Sequence, residues 1–194
     1  CDPLASIHRA ATGTGIYLVK NLYVMPSHSE KISYGEFLTN KAKDRLTRFH
    51  DQLTKIDGDF DYAIIDCSPA AVSLSNDNAV FAADKVVMPI DRSIFSAMGI
   101  QTTLNRFVSL RDAELEKNIL LLKSKVDSRK SITNDYSEQV TASVKSMFAE
   151  SIIRESTPIE QAVYRGLTVF EDSPKSIGCK DYKDFTKELM RFCN

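Results

Sequence analysis

Glycine is scarce in this chain, with seven residues in 194 against a usual share of about 7%. No segment has the G-x-x-x-x-G-K-[ST] or G-x-G-x-x-G spacing with which backbone N–H groups at a helix N-terminus cradle phosphates. The nearest approach, Thr12-Gly13-Thr14-Gly15, has no third glycine and no following Lys-Ser/Thr, and reads as an ordinary loop. Long apolar runs are missing too: nothing approaches the roughly 18 residues of a membrane span, and no signal-peptide pattern is visible. Charge of one sign is not in excess either. With 25 basic and 26 acidic residues the formal net charge is −1, so any nucleic-acid contact needs a local basic patch. Cys1, Cys67, Cys179 and Cys193 form no C-x-x-C pair and do not combine with His8, His28 or His50 at zinc-site spacing. They read as free thiols of a reducing compartment. No Ser/His/Asp or paired-carboxylate constellation stands out.

What is present fits one soluble α/β domain over residues 1–194, long enough to bury a core without staples. The most informative stretch is Asp61-Tyr62-Ala63-Ile64-Ile65-Asp66-Cys67-Ser68-Pro69. A short apolar run bounded by polar turn residues reads as a strand buried on both faces, as in a parallel sheet. Ligands of doubly wound folds sit at the carboxyl ends of such strands. Asp66 is then a carboxylate at the mouth of a site, where a magnesium-nucleotide would need one. The alternative is that Asp66 caps the next segment or closes a turn.

Strand-like and helix-like stretches alternate along the chain. Strands are expected at 21–26, stopped by Pro26, at 61–66, at 85–90, stopped by Pro89, at 118–122 and at 151–153. Helices are expected at 34–56, 74–83, 95–110, 136–148, 159–164 and 181–192, the last bearing Tyr182, Phe185, Leu189 and Phe192. This alternation predicts a mostly parallel twisted sheet with helices on both faces.

The order of the pieces resembles the ParA/Soj family of deviant Walker-type partition ATPases, relatives of MinD. Asp2-Pro3-Leu4-Ala5-Ser6 resembles the D-x-D-P-Q-x-S/N loop entered at its second Asp, with Leu4 in place of the glutamine. Leu22 to Ser27 is similar to the L-x-x-I-P-A/S strand, and Asp61 to Pro69 to the Walker B and switch II segment. Ala83 to Ile90 with Phe95 and Gly99 is similar to A-D-x-V/L-I-x-P-V…F-x-x-x-G. Ile153 to Ala162 resembles I-R-R-S-x-x-I/L-x-E-A, and Ser173 to Tyr182 resembles P-x-S-x-G-A-x-D-Y. Any one match is weak, and their shared order is the signal.

The family's K-G-G-x-G-K-T/S loop does not occur here. The chain starts on Cys1-Asp2-Pro3 rather than methionine, so an N-terminally incomplete domain is expected, short of its first strand and P-loop by on the order of 40 residues. Such a piece is expected not to bind ATP well by itself.

The resemblance implies an ATP hydrolase using ATP and Mg²⁺, in which positioning and charge neutralisation dominate. Asp66 would hold a water of the magnesium shell, and Asp2 would orient the attacking water, or only form an Asx turn. Cys67, Ser68 and Pro69 would form the γ-phosphate switch. The adenine would lie near Lys125 and Asp127, and near Pro158. Arg154, Lys175 and Lys180 would contact DNA phosphates without sequence preference, or be solvated surface cations; Ile177 replaces a basic residue common near there, and Glu155 the second Arg. The implied partners are DNA, a centromere-binding ParB-type protein and a second copy in an ATP-dependent dimer, with no membrane, in a nucleoid-associated bacterial cytoplasmic protein. A MinD-like membrane-cycling ATPase and a non-catalytic scaffold on the same fold are the alternatives.

Overall fold

The computed structural model describes residues 8–11, 18–24, 46–68, 73–91, 94–111, 114–127 and 144–194. They form two compact units. In the first, strands β1 (His8–Ala11) and β2 (Leu18–Val24) pair antiparallel. Their register runs from Arg9↔Tyr23 to Ala11↔Leu18, so β2 carries the extra residues of a bulge. Asn21, at φ 60, lies within that bulge.

Helix α1 (Arg48–Leu53) is the described part of the helix expected over 34–56, whose residues 34–45 lie outside the described set. It stops three residues before the expected end, because Asp57-Gly58-Asp59 turns the chain into a 3-10 helix. Helix α2 (Leu74–Ala82) starts where the Ser73 hydroxyl accepts the Asn76 N–H at 3.1 Å. Helix α3 (Ile94–Leu110) contributes its C-terminal half to this unit. There Arg106 forms a bidentate ion pair with buried Asp77 of α2. Arg111, just beyond α3, donates to the Ala83 carbonyl at the end of α2, which accepts in place of a missing helical N–H. His50 meets Phe81 edge-on at 6.1 Å, joining α1 to α2.

The second unit is built on a parallel sheet in the order β3 (Val86–Ile90), β4 (Ile119–Val126), β5 (Phe148–Arg154), with helices packed on it. The α/β architecture expected from the alternating pattern is therefore present. Residues 119–122 of β4 are all buried, as an apolar run in a central parallel strand requires. Pro89 does not stop β3: it lies opposite Leu122 within the ladder. A proline is tolerated there because β3 is at the edge of the described sheet, where a missing N–H loses no ladder bond.

Four-residue α4 (Leu115–Asn118) leads into β4. Beyond β5 come α5 (Thr157–Tyr164), α6 (Val169–Asp172) and α7 (Ile177–Cys193). The core joins Leu120, Leu122, Ala149 and Ile153 of the sheet to Phe185, with Val87, Ile159, Leu189 and Phe192 packed around them. Tyr182 of α7 is exposed, and the buried position on that turn is Asp181. The residues expected to end a helix at 136–148 are placed differently. Lys145–Met147 form a 3-10 helix and Phe148 opens β5, while 136–143 lie outside the described residues. Val140, Val144, Met147 and Phe148 have helical spacing, but Phe148 pairs with Leu121, and ladder formation overrides that local periodicity.

Two irregularities shape the β4–β5 ladder. Between Leu121↔Phe148 and Lys123↔Ile152, β5 carries two residues more than β4. The N–H groups of Glu150 and Ser151 converge there on the Glu188 carboxylate of α7, at 2.7 and 2.8 Å. Between Lys123↔Ile152 and Val126↔Arg154 the extra residue lies in β4, where Lys125 adopts the left-handed region at φ 52.

Candidate functional site

The segment from Tyr62 to Ser68 corrects the expectation of a buried strand. It is irregular, enters no ladder among the described residues, and is mostly exposed, with Tyr62 at 53% and Ile64 at 92%. Its apolar pattern is that of a strand, but a strand exists only where a neighbour takes its N–H and C=O groups and its faces are covered. Tyr23 of β2 meets Phe60 edge-on at 5.4 Å, just before the segment, which adds no strand to the β1–β2 pair among the described residues.

Asp66 is exposed and makes no hydrogen bond or ion pair among the described residues, so its carboxylate oxygens face water. The Cys67 thiol is raised above its ordinary value by burial, and secondarily by the charge of Asp66. The residue is nevertheless exposed, and a thiol held protonated at neutral pH does not suit a nucleophile. Ser68 is held from α2: Asn76 Nδ2 donates to the Ser68 carbonyl at 3.0 Å, and Ser68 Oγ donates to Asn76 Oδ1 at 3.3 Å. Asp2 and Pro69 lie outside the described residues.

The remaining candidates belong to the second unit. Lys125 is exposed in its bulge, and its left-handed backbone is the kind of local strain that clusters at binding sites. Asp127 follows β4 and is 8% exposed. The Glu155 N–H donates to the Val126 carbonyl at 3.0 Å, so the ends of β4 and β5 are tied together. Pro158 occupies the second position of α5, where its missing N–H loses nothing.

Of the three candidate DNA contacts, Lys175 and Lys180 are exposed and make no ion pair among the described residues. Arg154 is engaged. Its backbone N–H and Nε donate to Asp181 Oδ2 at 3.0 Å each, and its Nη2 donates to Oδ1 at 2.5 Å. Burial pushes the Asp181 carboxyl up, but the hydrogen bonds and charge of Arg154 outweigh it and hold the group below its ordinary value.

Asn76, Asp77, Asp181 and Glu188 are contributors that sequence reasoning missed. A signal existed for two of them. Asp181 and Glu188 are acidic residues seven apart that bracket Phe185 on the inward stripe of α7, and an acid on an apolar stripe demands a buried partner.

The residues present fit part of a magnesium-nucleotide. An exposed carboxylate without a partner among the described residues, such as Asp66, can accept from a water of a hydrated Mg²⁺. No described loop, and no motif in the sequence, offers a glycine-rich cradle for the phosphates. Among the described residues no three His, Cys, Asp or Glu side chains cluster as a metal site, and no helix is long and apolar enough to cross a membrane.

Comparison with known proteins decides the family. The AAA domain family matches residues 6–121, more than half of the chain. The chain is 27% identical over 176 residues to the chromosome partitioning protein ParA of Myxococcus xanthus, covering 89% of this chain and 61% of that protein. It belongs to the ParA/MinD family. A second ParA-type relative, the sporulation initiation inhibitor protein Soj of Bacillus subtilis, is 26% identical, over 88% of this chain and 68% of its own length. Among solved structures, an ATP complex of a variant McdA from Cyanothece superposes with a TM-score of 0.71 at 20% identity, covering 97% of this chain and 71% of that one. This ParA/MinD chain thus spans 61% of the Myxococcus relative, less than two thirds of it.

Proposed function

We propose that this ParA/MinD chain belongs to a partition-type ATPase. In this reading the protein dimerises with ATP, binds DNA without sequence preference, and releases it when a centromere-bound ParB-type partner stimulates hydrolysis, in a bacterial cytoplasm. The observation that carries the reading is Asp66, exposed and without a partner among the described residues, in the stretch that resembles a Walker B segment. The McdA relative with bound ATP and the ParA-type relatives support it by similarity.

Within that reading ATP and Mg²⁺ supply the cleavable anhydride and the charge neutralisation. Asp66 would hold the hydrated metal through one of its waters, and Asp2 would orient the attacking water. Cys67, Ser68 and Pro69 serve as the switch loop, in which Ser68 is held from α2 by Asn76. Lys125, Asp127 and Pro158 border the base, while Lys175 and Lys180 offer exposed charge to DNA phosphates. A membrane-cycling reading needs a free amphipathic basic helix. Helix α7 does not offer one, because Phe185, Leu189 and Phe192 are packed into the core.

The test is ATP–Mg²⁺ binding and hydrolysis by the complete gene product, with and without DNA, for the parent and for Asp66→Ala. Slow hydrolysis that rises with DNA and drops by about a hundredfold or more in Asp66→Ala is the expected result. Absence of nucleotide binding would leave a scaffold built on the same fold.

A further inference from the structure

We propose that Arg154 and Asp181 are a positioning pair for the turn from Glu155 to Pro158, and that Arg154 does not contact DNA. The part of this inference that concerns nucleotide rests on the ATPase reading above.

Helix α5 begins at this turn without the usual local support. Its N-cap, Ser156, makes no side-chain capping bond, and the Ser156 hydroxyl is buried without a partner. What fixes the turn comes from α7. Asp181, whose side chain is 5% exposed, takes the backbone N–H of Arg154 and both ends of its guanidinium fork. One carboxylate thereby sets the last backbone unit of β5 and the side chain together. One turn earlier in α7, Gly178 lies against the same turn, so close that an added Cβ would meet Ile159 at 2.7 Å and Ser156 Oγ at 3.0 Å. The exit from β5 is completed by Glu155 N–H donating to Val126 and Ile159 N–H donating to Ser156, both at 3.0 Å. Pro158 is therefore held in place by residues distant in sequence.

This geometry also removes Arg154 from the pool of free cations. Asp181 occupies Nε and Nη2 and neutralises the guanidinium charge, so of the guanidinium nitrogens it leaves only Nη1 unengaged, and a phosphate meets little net positive charge there. Lys175 and Lys180, exposed and without ion pairs among the described residues, are not neutralised in this way.

The experiment uses the complete gene product as parent, Arg154→Gln, Arg154→Lys, Asp181→Asn, Lys180→Gln and the Arg154→Gln/Asp181→Asn double variant. It reads KM and kcat for ATP, the slope of log K against log salt on a non-specific duplex, and amide hydrogen exchange. Arg154→Gln and Asp181→Asn are each expected to raise KM about tenfold with kcat held within about twofold. The double variant should be no worse than either single, and Arg154→Lys should recover part of the loss. The salt slope should be unchanged in Arg154→Gln and reduced by about 0.9 in Lys180→Gln. A slope reduced by Arg154→Gln but not by Asp181→Asn overturns the proposal, as does a fall in kcat at constant KM. If the parent binds no nucleotide, the ATPase reading fails separately. Exchange at the Glu155 and Ile159 amides then decides: acceleration in both Arg154→Lys and Asp181→Asn supports the pair, and parental protection in both overturns it.

Discussion

Asn76 holds Ser68 through two hydrogen bonds, one to its carbonyl at 3.0 Å and one from its hydroxyl at 3.3 Å. The same residue donates its backbone N–H to the Ser73 cap, and its neighbour Asp77 is paired with Arg106 of α3. The first turn of α2 therefore joins the loop after Asp66 to α3 inside the first unit. Replacing Asn76 by Ala should lower stability by only about 1 kcal/mol, since both bonds are solvent-exposed. In the complete gene product the same change should lower kcat for ATP more than it alters nucleotide affinity. Denaturant melts together with steady-state kinetics check both halves.

Ile64 separates the local pattern from the folded structure. A buried strand residue would cost about 2–5 kcal/mol on truncation to Ala. At 92% exposure the cost of Ile64→Ala in this chain should stay within about 0.5 kcal/mol. Leu121→Ala, at 0% exposure in β4, should cost about 2–5 kcal/mol. Urea midpoints for the two variants, measured side by side, give the comparison.

Gly178 leaves no room for a side chain. Its added Cβ would lie 2.7 Å from Ile159 Cγ1 and Cδ1, so Gly178→Ala should destabilise by about 1–3 kcal/mol through overpacking, despite the better helix propensity of alanine. A rise in melting temperature would show that α7 can shift away from α5.

Stability should depend on acid through α7. Burial pushes the Glu188 carboxyl up, but the hydrogen bonds from Ser151 and Glu150 and the charge of Arg191 hold it below its ordinary 4.5. Asp181 is likewise held below 3.8. Both folded values lie below the unfolded ones, so the stabilisation is fully present above the unfolded values and is lost as pH falls through the folded values. The urea midpoint should therefore be flat near neutrality and fall below about pH 4.5. Glu188→Gln should be less stable than the parent near neutrality and should show a shallower decline in acid.

The sequence by itself was enough for the kind and order of most described elements. The spacing of Ile100, Leu104, Phe107 and Leu110 specifies α3, and the run from Ile119 to Leu122 specifies β4, because apolar periodicity is a local property of the chain. The family was legible as well, since motifs in a fixed order survive at 27% identity. Other features depended on partners remote in sequence. Residues 61–66 have a strand's composition but no ladder among the described residues, and Pro89 sits inside a strand at the edge of the described sheet, where the lost N–H is harmless. Arg154 reads as a free cation until Asp181, 27 residues away, is brought against it. Composition and periodicity record what a residue prefers, whereas hydrogen-bond partners and burial are set by whatever the tertiary fold places within 3 Å or so.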